Sequence, residues 1–407
     1  MLGAVSLELH QDLDGDLVVG RLEDLDDVVP SQSHVDPDEL TARLADRPLA
    51  LLDPLSPSRK AGQPLRSPAH QRDVVRHRTI LGVVRSAEET SRWTEPSWRD
   101  EAERWIRERL SDLGLHPVAA IEQPHVRPWG TALHVRTNGG TLWFKANIAP
   151  LAYEAPLLDL VGAGSASVPR LVAGDLTRGW MLTEDAGTKL SDVYREGLPR
   201  AIWCELLGAY AQLQVDAAPA AGRLVAAGVP DRRLPTLVEG LRRVLGNDRL
   251  VRPGGDVALT DDELERAHEV VPAIENAVDV LAGLELPDSL QHDDLHPWNV
   301  CIRDGTYSFI DWGDACISQP LLSFTVPLAH IASADTDAAR DAYLEPWTRF
   351  RQRDDLVAAV GAARLLGHVT GILKWELIST SLGDDERAGY EDAITRRVRS
   401  LLELACG

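Results

Sequence analysis

Residues 290–313 read LQHDDLHPWNVCIRDGTYSFIDWG, and the way this stretch folds back on itself decides the rest of the chain. It sets His292, Asp293, Asp294, His296, Asn299 and Asp311 around two short apolar runs. The runs VCIR and TYSFI are joined at Asp304-Gly305, a pair that tolerates the positive φ of a two-residue hairpin turn. Antiparallel pairing then carries Asn299 and Asp311 to the open end of the hairpin. Facing residues lie about 5 Å apart there, a span that one hydrated divalent cation bridges.

Two chemistries compete for these residues. His292 and His296 have the H-x-x-x-H spacing of a helical zinc site, which needs both imidazoles on one helix face. Pro297 abuts the second of them and a hairpin follows, so the helix that zinc requires is not expected. The other chemistry is phosphoryl transfer. There an aspartate accepts the proton of the attacking hydroxyl, an asparagine five residues later holds magnesium, and an Asp-x-Gly turn after a short hairpin supplies the second ligand. Asp294, Asn299 and the Asp311-Trp312-Gly313 turn meet all three offsets. Asp294 is the expected catalytic aspartate, with His292 and His296 beside it and His292 bracing the loop; Asn299 and Asp311 are the expected metal ligands.

Phosphoryl transfer also needs a cation on the nucleotide phosphates. The chain has four lysines, Lys60, Lys145, Lys189 and Lys374, among 42 basic residues. Lys145 in TLWFKAN lies on an apolar strand, where a compact point charge in place of arginine suits a phosphate. Glu154 is its expected partner, although Pro156 threatens to kink a helix begun at Pro150 and to shift the pairing. Gly130 in VRPWGTAL stands where a phosphate-covering loop belongs, without a glycine-rich repeat. GWMLTEDAG reads as a strand entering a loop, so the main chain of Thr183, Glu184 and Ala186 is expected to hold an adenine.

Composition narrows the partners. A formal charge of −21 disfavours nucleic acid and anionic membrane surfaces. Cys204, Cys301, Cys316 and Cys406 show no C-x-x-C spacing, which suits reduced thiols, and no secretory or membrane-spanning stretch is legible; a cytoplasmic protein is expected. Residues 1–95 read as a small accessory α+β domain. In it AVSLEL and DLVVGRLE flank a turn at Asp14-Gly15, DPDELTARLADR reads as a helix, and residues 53–75 as a surface connection. The DLDGD run has Leu17 where a calcium loop needs glycine, so it is read as the hairpin turn. Residues 96–186 form a β-rich segment. It opens with a helix capped by Ser97 and striped by Trp98, Ala102, Trp105, Ile106 and Leu110, followed by a hairpin closed at Asn138-Gly139-Gly140. From 187 to 407 the pattern is helical, with a capping box at Thr260-Asp261-Asp262-Glu263.

Across residues 97–400, LQHDDLHPWNV followed by FIDWGD resembles the signature of the aminoglycoside phosphotransferase and choline kinase-like family. That resemblance implies an α+β, bilobal protein-kinase-like fold, with a β-rich N-lobe and a helical C-lobe. It also implies ATP and Mg2+ as co-substrates, phosphorylation of a small-molecule hydroxyl, and the roles given above to Asp294, Asn299, Asp311 and Lys145. The extra N-terminal residues are similar to the additions of maltokinase-like and glucosamine kinase-like enzymes. Position 293, often glycine in the family, is Asp here. With Trp375, Glu376, Asp384 and Asp385 it is a candidate for holding a cationic acceptor such as an aminoglycoside or amino sugar. A neutral sugar or polyol acceptor, and a nucleotide-binding pseudokinase, stay open as alternatives.

Overall fold

The structure, a computed structural model, describes Leu7–Gln11, Leu17–Arg21 and residues 92–406. Strands β1 (Leu7–Gln11) and β2 (Leu17–Arg21) pair antiparallel, as expected for a hairpin turning near Asp14-Gly15. The helix expected at DPDELTARLADR and the connection at 53–75 lie outside the described residues.

The first large element, helix α1 (Pro96–Asp112), buries Ala102, Trp105, Ile106 and Leu110. It starts two residues earlier than the Ser97 cap would allow. Pro96 takes the first helical position, where its fixed φ suits the turn and its missing N–H is not needed, and Glu95 precedes it without a side-chain cap bond. Five antiparallel strands follow: β3 (Glu122–Arg127), β4 (Gly130–Thr137), β5 (Gly140–Asn147), β6 (Leu171–Asp175) and β7 (Trp180–Glu184), in the order β3-β4-β5-β7-β6. Thr137 pairs with Gly140 across the expected hairpin, with the positive φ, 125°, on Gly140. Alternation along β5 sends Phe144 to the face covered by α1 and Lys145 to the opposite one. Phe144 and Trp180 pack edge-on against Trp105, with ring centroids 5.6 and 5.9 Å away, and Arg178 lies 4.9 Å over Trp180. Aromatic burial on one face of the sheet therefore fixes which way Lys145 points on the other.

Helix α2 (Glu154–Gly162) runs between β5 and β6. After β7 the chain passes through β8 (Thr188–Lys189) into the helical part. Its main helices are α3 (Arg200–Ala217), α4 (Leu234–Leu245), α5 (Asp261–Glu269), α6 (Val271–Ala282), α7 (Thr336–Leu344), α8 (Arg353–Ser381) and α9 (Ala393–Cys406). The capping box forms in both directions, Glu263 N–H to Thr260 Oγ1 at 3.1 Å and Thr260 N–H to Glu263 Oε2 at 2.8 Å. The 29-residue α8 is apolar and long enough to cross a bilayer, yet 56% of its most apolar window is buried within the fold, against α4, α6 and α9. Cys204, Cys301 and Cys316 are free thiols, the latter two buried.

Two small sheets set the site. Strands β9 (Ser289–Gln291) and β12 (Cys316–Ser318) pair antiparallel, and β10 (Val300–Arg303) pairs with both β11 (Thr306–Phe309) and β8. The loop 292–299 thus leaves one sheet and enters the other, and the loop 310–315 makes the return journey. The two loops are side by side because their four flanking strands are paired.

Candidate active site

The hairpin turns as its sequence requires, with Asp304 at φ 50° and Gly305 at φ 73°, and Val300 faces Phe309. At its open end Ile310 N–H donates to Asn299 O at 3.0 Å, which places Asp311 next to Asn299. Asp311 itself is left-handed, at φ 63°, a conformation aspartate tolerates better than most residues.

The loop carrying Asp294 is tied down on every side. Asn299 Nδ2 donates to Asp294 O at 3.0 Å and to Asp294 Oδ2 at 2.9 Å, and His296 Nε2 lies 3.2 Å from the same Oδ2. His292 Nε2 donates to Ile310 O at 2.7 Å, bracing the loop against the hairpin, while His292 N–H donates to Tyr210 of α3 at 2.8 Å. Burial pulls the His292 imidazole down, so it is neutral, in keeping with a bracing role. The helical zinc site is not formed: the two histidines flank a strand end and a short turn, with no helix to present them together. Asn299 and Asp311 offer an amide oxygen and a carboxylate. The Asn299 amide group spends its N–H on Asp294, and the Asp311 side chain is 46% exposed, so these hard oxygen donors fit a divalent ion such as Mg2+ completed by phosphate oxygens and water.

Lys145 Nζ lies 2.7 Å from Glu154 and also ion-pairs with Asp311. The threatened kink does not occur. The chain makes a short 3-10 turn over Ala149–Leu151 and starts α2 at Glu154, so Pro156 falls in the first helical turn, where no N–H partner exists to be lost. Glu154 is 2% exposed and also accepts from Asn147 Nδ2 at 2.7 Å and Trp312 N–H at 2.9 Å, clamping β5 to the Asp311 loop. Burial opposes the charge on Lys145, but Asp311 and Glu154 outweigh it and hold the ammonium above its ordinary range.

Gly130 opens β4. Arg127 pairs with Gly130, so the β3–β4 connection is only Pro128-Trp129. A Cβ at 130 would meet Asn147 Oδ1 at 2.8 Å and Ala146 O at 3.1 Å, so the glycine serves close strand packing. Thr183 and Glu184 are paired with β5 and β6 within the sheet, and Glu184 N–H goes to Arg170 O at 3.0 Å. Asp185 accepts from Trp143 Nε1 and Gly187 N–H, both at 2.9 Å, and from Arg303 Nη2 at 2.5 Å, fixing the connection in which Ala186 sits.

Four of the acceptor-site candidates are engaged within the protein. Asp293 is held by Arg232 and Thr370, each at 3.0 Å, beneath the loop; its φ of 59° explains why glycine suits this position, and its charge is spent inside the protein. Trp375 is 5% exposed and packed on Trp129 at 5.4 Å and Tyr390 at 6.0 Å, leaving no face for a sugar. Glu376 forms a two-pronged pair with Arg243 at 2.8 and 2.6 Å. Asp384 is 81% exposed and paired with Arg387 and Arg249.

The residue that the sequence did not reveal is Lys374 of α8. Its ammonium lies 2.8 Å from Asp314 Oδ2, 3.3 Å from Asp293 O and 3.6 Å from Asp294 Oδ1. Burial alone would raise the Asp294 carboxyl; Lys374 and then His296 hold it well below the usual carboxylate range. The scarcity of lysine that singled out Lys145 applied equally to Lys374.

Comparison with known proteins gives the family and the fold. A sequence model of the phosphotransferase enzyme family matches residues 135–357, more than half the chain. No curated protein sequence matches it. Solved structures share the fold: the GDP and kanamycin complex of APH(2")-IIIa (19% identity, 75% of this chain and 98% of that one, TM-score 0.52) and macrolide 2'-phosphotransferase MphH from Brachybacterium faecium (16%, 72% and 98%, 0.51). Choline kinase LicA from Streptococcus pneumoniae is similar to the same extent (14%, 75% and 99%, 0.51).

Proposed function

The chain belongs to the phosphotransferase enzyme family and is a small-molecule kinase, and from that premise we propose that it transfers the γ-phosphoryl group of ATP, with Mg2+, to a hydroxyl of a small acceptor. The observation that carries the reading is the meeting of Asp294, Asn299, Asp311 and the Lys145–Glu154 pair from four separate segments around two adjoining loops. Lys145 would hold phosphate oxygens while Glu154 and Trp312 N–H keep it in place. The purine would lie against the connection Thr183–Ala186. Asn299 and Asp311 would hold the Mg2+, which when bound neutralises charge on the transferred group.

Asp294 orients the acceptor hydroxyl in line and takes its proton. Because Lys374 and His296 keep it ionised, it is a weak base. The proton therefore moves late, after the bond to the leaving phosphate has largely broken, as a loose transition state allows. The pseudokinase alternative rested on an awkward Pro156 and a missing glycine loop; the formed Lys145–Glu154 pair removes the first ground. The test is ADP release across an acceptor panel with wild type and Asp294→Asn. We expect turnover to fall about 10²–10⁴-fold in the variant while its fold and ATP affinity persist. Equal turnover in a folded variant would refute the assignment.

A further inference from the structure

Trp298, His296 and His330 form a triangle of rings beside Asp294. Their centroids are 5.4 Å apart for His296 and Trp298, 5.7 Å for His296 and His330, and 5.9 Å for Trp298 and His330. His296 reaches Asp294 Oδ2 at 3.2 Å, so the triangle adjoins the carboxylate that takes the hydroxyl proton. Lys145 pairs with Glu154 and Asp311, on the nucleotide side of the loops. Trp298 and His330 are each half-buried, unlike the fully covered His296. Trp298 belongs to the short turn of Pro297–Asn299, and His330 follows the segment Thr325–Leu328, so two distant pieces of chain converge here.

Resting on the kinase reading above, we propose that Trp298 and His330 are the specificity-determining wall of the acceptor site, and that this wall takes an uncharged, sugar-like polyol. An indole face covers the apolar C–H face of a sugar ring, while an imidazole supplies one donor and one acceptor to its hydroxyls. The charge around Asp294 points the same way. Of the carboxylates that could have held an ammonium, Asp293, Glu376 and Asp384 are taken by Arg232, Arg243 and Arg387, and Lys374, shared with Asp314 at 2.8 Å, lies 3.6 Å from Asp294. Trapping a cation on aromatic rings alone calls for several faces. Here only one of the three rings is an indole, and the other two are imidazoles, whose planes cross it at 79° and 65°. His330 is pulled down to about 4, chiefly by burial and next by His296, so it is neutral at pH 7 and carries both hydrogen-bonding roles.

The experiment measures ADP release by the full chain with ATP and Mg2+ against neutral mono- and disaccharides, each paired with its amino-substituted analogue, and against choline. Wild type, Trp298→Ala, Trp298→Phe and His330→Ala are compared. A neutral sugar is expected to give a higher kcat/KM than its amino analogue at both low and high salt. Trp298→Ala should raise the acceptor KM about tenfold, leave the ATP KM within about twofold, and be largely rescued by Trp298→Phe. Preference for an amino sugar or choline overturns the proposal, as does an acceptor KM unchanged in a folded Trp298→Ala. ATP binding by calorimetry without turnover on any neutral sugar overturns the neutral-sugar wall but spares the kinase reading. Failure to bind ATP overturns both.

Discussion

Replacing Lys374 with glutamine removes a cation from a place where two carboxylates depend on it. Lys374 is 5% exposed in its side chain, against 18% for Asp314 and 12% for Asp294. At 2.8 and 3.6 Å, with an effective dielectric constant of about 20, the two attractions amount to about 6 and about 5 kcal/mol before desolvation is subtracted. Losing one partner of such a buried set leaves uncompensated charge, and the net cost is about 3–5 kcal/mol. That is a large part of a typical stability of about 5–15 kcal/mol. Equilibrium urea unfolding at neutral pH should therefore show a clear drop in midpoint. The double variant Lys374→Gln with Asp314→Asn should recover part of the loss, because one of the stranded charges is gone. A loss under about 1 kcal/mol, the range of an exposed ion pair, would refute the buried-triad reasoning, and so would a double variant no more stable than the single.

Asp311→Ala should weaken Mg2+-dependent ATP binding more than Asn299→Ala, since a carboxylate gives the ion a full charge and an amide does not. Calorimetry with and without EDTA checks this: chelation should bring wild type down to the level of Asp311→Ala, and an unaltered affinity in that variant would remove the metal site. Glu263 offers a pH test away from the site. The Arg399 guanidinium and the Thr260 N–H hold its carboxyl at about 2, below its ordinary 4.5. A depressed carboxyl adds stability that is fully present above about 4.5 and is lost as pH falls through about 2. Unfolding titrations should show Glu263→Gln less stable than wild type at pH 7 and nearly equal to it near pH 2; an equal gap at both pH values would contradict the pairing.

What the sequence settled by itself lies within short chain offsets. Asp304-Gly305 could only turn tightly, so Asn299 and Asp311 had to meet. The five residues from Asp294 to Asn299 fit a loop in which the amide reaches back to the carboxylate. Thr260 and Glu263 capped their helix, and Lys145 stood on its predicted strand. Backbone geometry over a few residues permits few alternatives, and side-chain chemistry narrows them further. Tertiary structure decided which charges were already spent. Arg232 reaches Asp293 across 61 positions, Lys374 reaches Asp314 across 60, and Arg243 meets Glu376 across 133. No periodicity or spacing announces such pairs, because a carboxylate in the sequence looks the same whether it awaits a ligand or is neutralised by a helix folded in from far away. Trp375 was ambiguous for a similar reason: an aromatic ring at helical spacing can pack or bind, and only the arrival of Trp129 and Tyr390 buried it. Pro156 was harmless for a local reason that still needed the fold, since the helix start was set by Glu154 bonding across to Lys145 and Trp312, which placed the proline in the one turn that does without its N–H.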